Sequence, residues 1–471
     1  MTTRLYLSAS ASPAVTVVSN GAWQFTSEEV QRACTPAPDG TAIASGTIIG
    51  PWTIGETASD RRYVTSLRLA SNQRIEGTIT AVARALESLL INNVSTRFEA
   101  YVVSENGQTV RGTLLAIGSH GTGAELDTSL RNIYFANATT VSAVDALAND
   151  RIVFVFGYSD SIGVTPEAQT SWGGNHANGI DLPANETNAT AYNPWIEFSQ
   201  DLIFELNPTA RFDSNQPSSV VLSGSSVNSF TKISGTGVTN GFNQSSSTNK
   251  PALSSVGGKD VITFTTAGND ANYDFLISAA GDNSQYYPFI GHYTVMIEFR
   301  CTDADVLFVD GRADYQPNVA SGIFGHANND GFKFAVGLRY IGSSTAFGFF
   351  GSMFTQGFAN HYAETLDLAT NAWYVGTASS RGQTISSQID ARTPVTTTLN
   401  ATTGVNWTAD NGTIYLGAAG AVWYGGITGN IRRIAIFSRH LNVLEAGLAR
   451  QTYFSADITL PDQMVSFGIA Q

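Results

Sequence analysis

The chain has 471 residues, of which 42% are hydrophobic, 11% aromatic and only 13% charged, with a net charge of −13. Low charge with many aromatics excludes the disordered class, which pairs high charge with low hydrophobicity. Residues 1–205 hold 11 Arg and no Lys against 20 acids, and the remainder 14 basic against 18 acidic residues; neither half carries the basic stripe that nucleic acid or an anionic membrane requires.

The length is enough for two or three domains, and short alternating or apolar runs set between Gly, Asn, Asp and Ser predict an all-β protein. The first residues lack the apolar core of a secretory signal, and no stretch approaches the roughly 18 apolar residues of a membrane span. Synthesis in a cytoplasm and no membrane insertion are therefore expected. Strands are predicted at RLYLS (4–8), RFEAYVVS (97–104), RGTLLAIG (111–118) and RIVFVFGY (151–158), the last apolar on both faces and so central. TAVARALESLL (80–90) fits a helix through Val82, Leu86, Leu89 and Leu90, but its β-rich surroundings favour a strand. Residues 159–194 form the longest irregular stretch, and a loop of that length is functional or packed against a neighbour. PWIEFSQDLIFEL (194–206) closes a first domain, placed at 1–205.

A second domain, 206–471, is predicted to carry strands at 259–266, 293–300, 306–311, 332–342, 373–379, 412–420 and 430–438. A short helix follows in NVLEAGLARQTYF, with Asn442 and Glu445 at the spacing of a capping box and Leu444 and Leu448 on one face. The tail after Ser455 is apolar enough to form another strand. Cys34 and Cys301 fall in different domains, which predicts two buried thiols and neither a disulfide framework nor a zinc site.

Specific positions in the second domain resemble the concanavalin-A-like (laminin-G-like) family. The series runs Phe212-Asp213, Leu222-Ser223-Gly224-Ser225, Val227, Lys232 to Gly235, Asn240, Gln244, Pro251, Gly258-Lys259, Phe264, Asp270 and Tyr273. The strand from Tyr293 to Phe299 and Trp373 continue it. Gly425-Gly426-Ile427, Ile431, Arg433, Ile434, Ile436 to Arg439, Leu441 and Glu445 match its ending. This resemblance covers half of the chain and implies a β-sandwich. RLYLS, SLRLASNQRIEGTI, VVSENGQTVRGTLL, NDRIVFVFGY, DLPANE and NPWIEFS resemble a β-rich domain at the start of tailed-bacteriophage virion proteins. That implies an N-terminal sandwich or jelly-roll-like anchoring domain in a tail, fibre or capsid-exterior protein. Other virion proteins are then the partners, the chain is a homo-oligomer or multicopy component, and host surface glycans are a further ligand class.

The concanavalin-like fold hosts lectins and glycosidases alike. A retaining glycosidase needs two carboxylates about 5 Å apart, which in glucanases of this fold come as E-x-D-x-E. The second domain has no such run, and Glu125-Leu126-Asp127 in the first lacks the last acid and reads as a solvated turn. No catalytic residue is assigned, and binding rather than catalysis is expected. Calcium would suit Asp303, Asp305, Asp310 and Asp314, or Asp181 with Glu186, although solvated loop carboxylates explain both sets as well. Gly118 to Gly123 resembles a phosphate loop but lacks the Lys-Ser/Thr that follows one, so a hairpin turn is expected. Sugar rings stack on exposed aromatics, for which Trp172, Trp407, Trp423 and Tyr424 are the candidates; the competing reading for each is core packing.

Overall fold

The computed structural model describes residues 2–454 except 39–41, 47, 90–92, 124, 162–165, 174–179, 187–191, 235–240, 245–248, 266–273, 279–291, 303–319, 329–330, 341–346, 355–359, 383, 399–412 and 418–426. The chain forms two compact units. Met1–Leu206 with Asn442–Glu445 make the first, and Asn207–Leu441 with the residues from Ala446 onward make the second.

The first unit is built of β1 (Thr3–Leu7), β2 (Phe25–Thr35), β3 (Ala44–Ser45), β4 (Thr57–Thr65), β5 (Gln73–Ile75), β6 (Thr78–Glu87), β7 (Val94–Val103), β8 (Val110–Gly118), β9 (Arg131–Thr140), β10 (Val144–Ala146), β11 (Arg151–Asp160), β12 (Ala168–Trp172) and β13 (Trp195–Phe198). The ambiguous segment is thus strand β6, its Ala81, Ala83 and Ala85 buried on one side. One sheet runs β3-β12-β6-β13-β1-β2-β4-β11-β7-β8, with β9 also on β6 and β5 and β10 paired apart. Folded over, it brings Phe135 of β9 onto Phe156 of β11 (ring centroids 4.9 Å) and Phe198 of β13 onto Phe154 (6.0 Å). As its unbroken apolar run predicts, β11 is buried throughout. The β2–β4 pair is parallel, which no local pattern announces, because parallel neighbours are joined through distant chain.

Residues 9–24 cross the outer face of this sheet as a strap. Val17 and Trp23 pack there on Val64, Tyr101, Val153 and Val155. Arg62 Nη1 and Tyr101 OH donate to the carbonyls of Val17 and Val18 (3.1 and 2.8 Å). Trp23 Nε1 and Asn20 Nδ2 donate to the two oxygens of buried Glu99 (3.0 and 2.9 Å).

In the second unit the strands pair in a closed circuit from Ala210–Asp213 to Gly429–Phe437. At its centre His292–Cys301 lies between Trp373–Arg381 and Gly429–Phe437, antiparallel to both. Val295, Ile297 and Phe299 face inward, and Phe299 stacks on Phe349 from Phe347–Phe354 (5.6 Å). Gly376 lies against the same ring: a Cβ there would stand 2.3 Å from Phe349. Gly376→Ala is expected to destabilise this unit by about 1–3 kcal/mol, as core overpacking does, read from its calorimetric transition.

The helix Val443–Phe454 opens on the predicted capping box. Glu445 N donates to Asn442 Oδ1 (2.9 Å), and Asn442 N to Glu445 Oε2 (3.1 Å). Its buried face differs from the expected one. Ala446, Ala449 and Arg450 are buried while Leu444 is 40% exposed. Small alanines allow close approach to the outer face of the sheet, where Arg450 Nη1 donates to Gln388 Oε1 (2.8 Å). Cys34 and Cys301 are both buried.

Candidate functional site

Of the stacking candidates, Trp172 is corrected by the structure. It is 1% exposed, packed between Tyr63 (5.3 Å) and Phe156 (5.4 Å) with the Arg61 guanidinium over its ring (5.1 Å). A ring enclosed in this way offers no face to a sugar, and the apolar gain of burying an indole explains why the competing reading wins. Trp407, Trp423 and Tyr424 lie outside the described residues, as do Asp303, Asp305, Asp310 and Asp314.

The Asp181–Glu186 pair is divided between other partners. Asp181 Oδ2 accepts from Arg4 Nη1 (2.7 Å) and Tyr6 OH (3.0 Å). Arg4 also reaches Glu197 (2.8 Å) and lies over the ring of Trp195 (4.0 Å). Glu186 accepts from Thr122 Oγ1. The stretch expected to be irregular contains strand β12 (Ala168–Trp172), and these contacts fasten its residues 180–186 to the sheet, so its described part is packed, one of the two roles such a length implies. Among the described residues no three His, Cys, Asp or Glu side chains are arranged to hold a metal ion. The Gly118–Gly123 segment ends β8, with His120 bridged to Ala136 of β9.

Two buried polar centres escape the motif reading. In the first unit Asp60 is the extra residue of a bulge in β4, where Phe156 pairs with Arg61 and Gly157 with Ser59. A bulge re-aims its side chain, and Asp60 Oδ2 accepts from Thr170 Oγ1 of β12 (3.0 Å), which is itself bonded to Tyr158 OH. Burial pushes the Asp60 carboxyl up to about 6, against the opposing pull of Arg61 and Thr170.

In the second unit the bulged residue is Arg432, since Glu298 pairs with Arg433 and Phe299 with Ile431. Both arginines thereby meet Glu298, which has no exposed surface. Arg432 forks onto the carboxylate, Nε donating to Oε2 at 2.8 Å and Nη2 to Oε1. Arg433 Nη1 stands 3.6 Å from Glu298 Oε2, and its Nε donates to Asp213 (3.2 Å). Asp213 and Arg433, two of the positions that carry the sequence resemblance, are thus joined. The Arg432 guanidinium also lies over Trp373 (4.9 Å). The legible signal was the Arg-Arg pair inside the apolar run NIRRIAIF, because two successive strand residues share a face only across a bulge.

No family model matches the chain, and no curated protein matches it. Several solved structures are similar in part. Domain 4 of an extracellular arabinanase from Geobacillus stearothermophilus, in complex with arabinotriose, matches over 51% of this chain and 97% of its own, at 10% identity and a TM-score of 0.32. The enzymatically active domain of tailspike protein 2 from bacteriophage CBA120 matches over 42% of this chain at 10% identity and a TM-score of 0.30. Trypanosoma rangeli sialidase in complex with sialic acid matches over 74% at 13% identity and a TM-score of 0.35. This chain spans only 29% of the tailspike chain and 46% of the sialidase chain. No helix among the described residues is long and apolar enough to cross a membrane.

Proposed function

We propose that this chain is a non-enzymatic structural component of a bacteriophage particle, in its tail, fibre or capsid exterior. The first unit anchors it there, and the second, a concanavalin-A-like sandwich, is presented outward to bind. The observation that carries this reading is the use made of the buried acids. Glu99 holds the strap, Asp60 ties β4 to β12, Glu445 caps the helix, and Glu298 with Asp213 fixes two arginines in the central sheet. Each is engaged by fixed donors of the frame, the arrangement of a rigid scaffold rather than of an acid held ready for a substrate. A virion role further rests on the sequence resemblance of the first domain to phage structural proteins.

Mass spectrometry of purified particles tests the proposal. The chain is expected in the particle band in many copies, and its absence from washed particles would sink the idea. Host polysaccharide incubated with the protein is expected to show no new reducing ends. A rise would make the chain a depolymerase, and retention without cleavage would identify a glycan as its ligand.

A further inference from the structure

We propose that Arg300 and Trp373 form a subsite for an acidic sugar, a pyranose ring bearing a carboxylate, on the outer face of the second unit's central sheet. The inference rests on the binding role proposed above for that unit. Strand pairing sets Thr263 opposite Asn430, Asn430 opposite Arg300, and Arg300 opposite Trp373. Their chain neighbours Ile262, Ile431, Phe299 and Tyr374 all belong to the core. Side chains alternate between the faces of a strand, so the four form one polar row on the side away from the core. Adjacent strands stand about 4.8 Å apart, which places Asn430 about 10 Å from Trp373 with Arg300 between them.

Arg300 is the cation left over on this face. Arg432 and Arg433 are matched by Glu298 and Asp213. Arg300 Nη2 donates to Asn371 Oδ1 (2.8 Å), but its Nε is without a hydrogen-bond partner, and no carboxylate pairs with it among the described residues. The turn that holds Asn371 is itself fixed, with Asn371 N donating to Cys301 O (2.7 Å). The guanidinium is therefore held in place with donor capacity unspent, the state that a planar carboxylate completes. Beside it the half-buried indole of Trp373 is braced by the Arg432 guanidinium (4.9 Å), which is in turn forked onto Glu298. A sugar ring would stack on the part of the indole that Arg432 leaves open, and its carboxylate would reach Arg300. At the far end of the row Asn430 Nδ2 donates to Thr263 Oγ1 (2.8 Å), so that amide is also set before any ligand arrives. A platform and a cation fixed in advance lose little freedom on binding.

Titration calorimetry of the full-length protein tests the subsite, with trimers of galacturonate, glucuronate and sialate as probes and their neutral methyl esters as controls. At least one acid trimer is expected to bind about tenfold or more tightly than its ester, the effect of one charge-assisted hydrogen bond. Arg300→Gln should remove that difference while leaving ester binding unchanged, and Arg300→Lys should restore only part of it, because the fork is lost. Trp373→Ala should weaken acid and ester alike. If that variant does not fold, as its calorimetric transition will show, the acid–ester difference in Arg300→Gln decides alone. Failure of all three acids to bind would overturn the proposal, as would equal binding of acid and ester. Acid binding that survives Arg300→Gln unchanged would also overturn it, while leaving the unit a glycan binder through another surface. Presence of the chain in washed particles is measured separately, so the virion role and this subsite can fail independently.

Discussion

Glu298→Gln is expected to destabilise the second unit by about 3–5 kcal/mol, the range for breaking a buried ion pair by removing one partner. Gln keeps the volume and one acceptor, so the loss isolates the charge. Arg432 (5% side-chain exposure) loses its forked acceptor, and Arg433 loses the nearby carboxylate while keeping Asp213. Two guanidinium groups would then face each other beneath the sheet surface, where neither can recover its hydration. For a unit of this size each kcal/mol moves the melting temperature by roughly 2–4 °C, so the calorimetric transition should fall by roughly 6–20 °C. The wild-type pair taken as a whole is not a large net source of stability, because desolvating both ions offsets most of their attraction. An unchanged transition in Glu298→Gln would show that solvent reaches this network.

The second large effect is a pH dependence of the first unit, centred on Asp60. Its carboxyl sits near 6 in the folded chain through burial, against about 3.9 when unfolded. The folded state therefore favours the proton. Stability from this group is full below about pH 4 and is lost as pH rises toward 6, by roughly 3 kcal/mol in all. Asp60→Asn keeps an acceptor for Thr170 and removes the titration. The difference in unfolding free energy between variant and wild type should therefore grow from near zero in acid to a stabilisation of a few kcal/mol above neutrality. Denaturant titrations at a series of pH values measure that difference, and a flat difference curve would contradict the assignment.

Much of the architecture was legible without coordinates. The apolar run 151–158 marks the central strand β11, the alternation at 97–104 and 111–118 marks β7 and β8, and Asn442 with Glu445 marks the helix start. These follow from patterns within a few residues, where side-chain period and capping chemistry leave few choices. The sites were less legible. Trp172 is a platform candidate whose sequence favours packing, and its contacts with Tyr63 and Phe156 place it in the core.

By itself the sequence determined the all-β class, the change of character near residue 206 and the positions of long strands such as β7, β8 and β11, because local hydrophobic period dictates them. Only the tertiary structure decided which acids meet which bases. One extra residue, Asp60 in β4 or Arg432 in the last strand, changes the face on which its neighbours lie. Glu87 N meets Asp127 O forty residues away in sequence, and a contact of that range is fixed by the packing of the whole sheet.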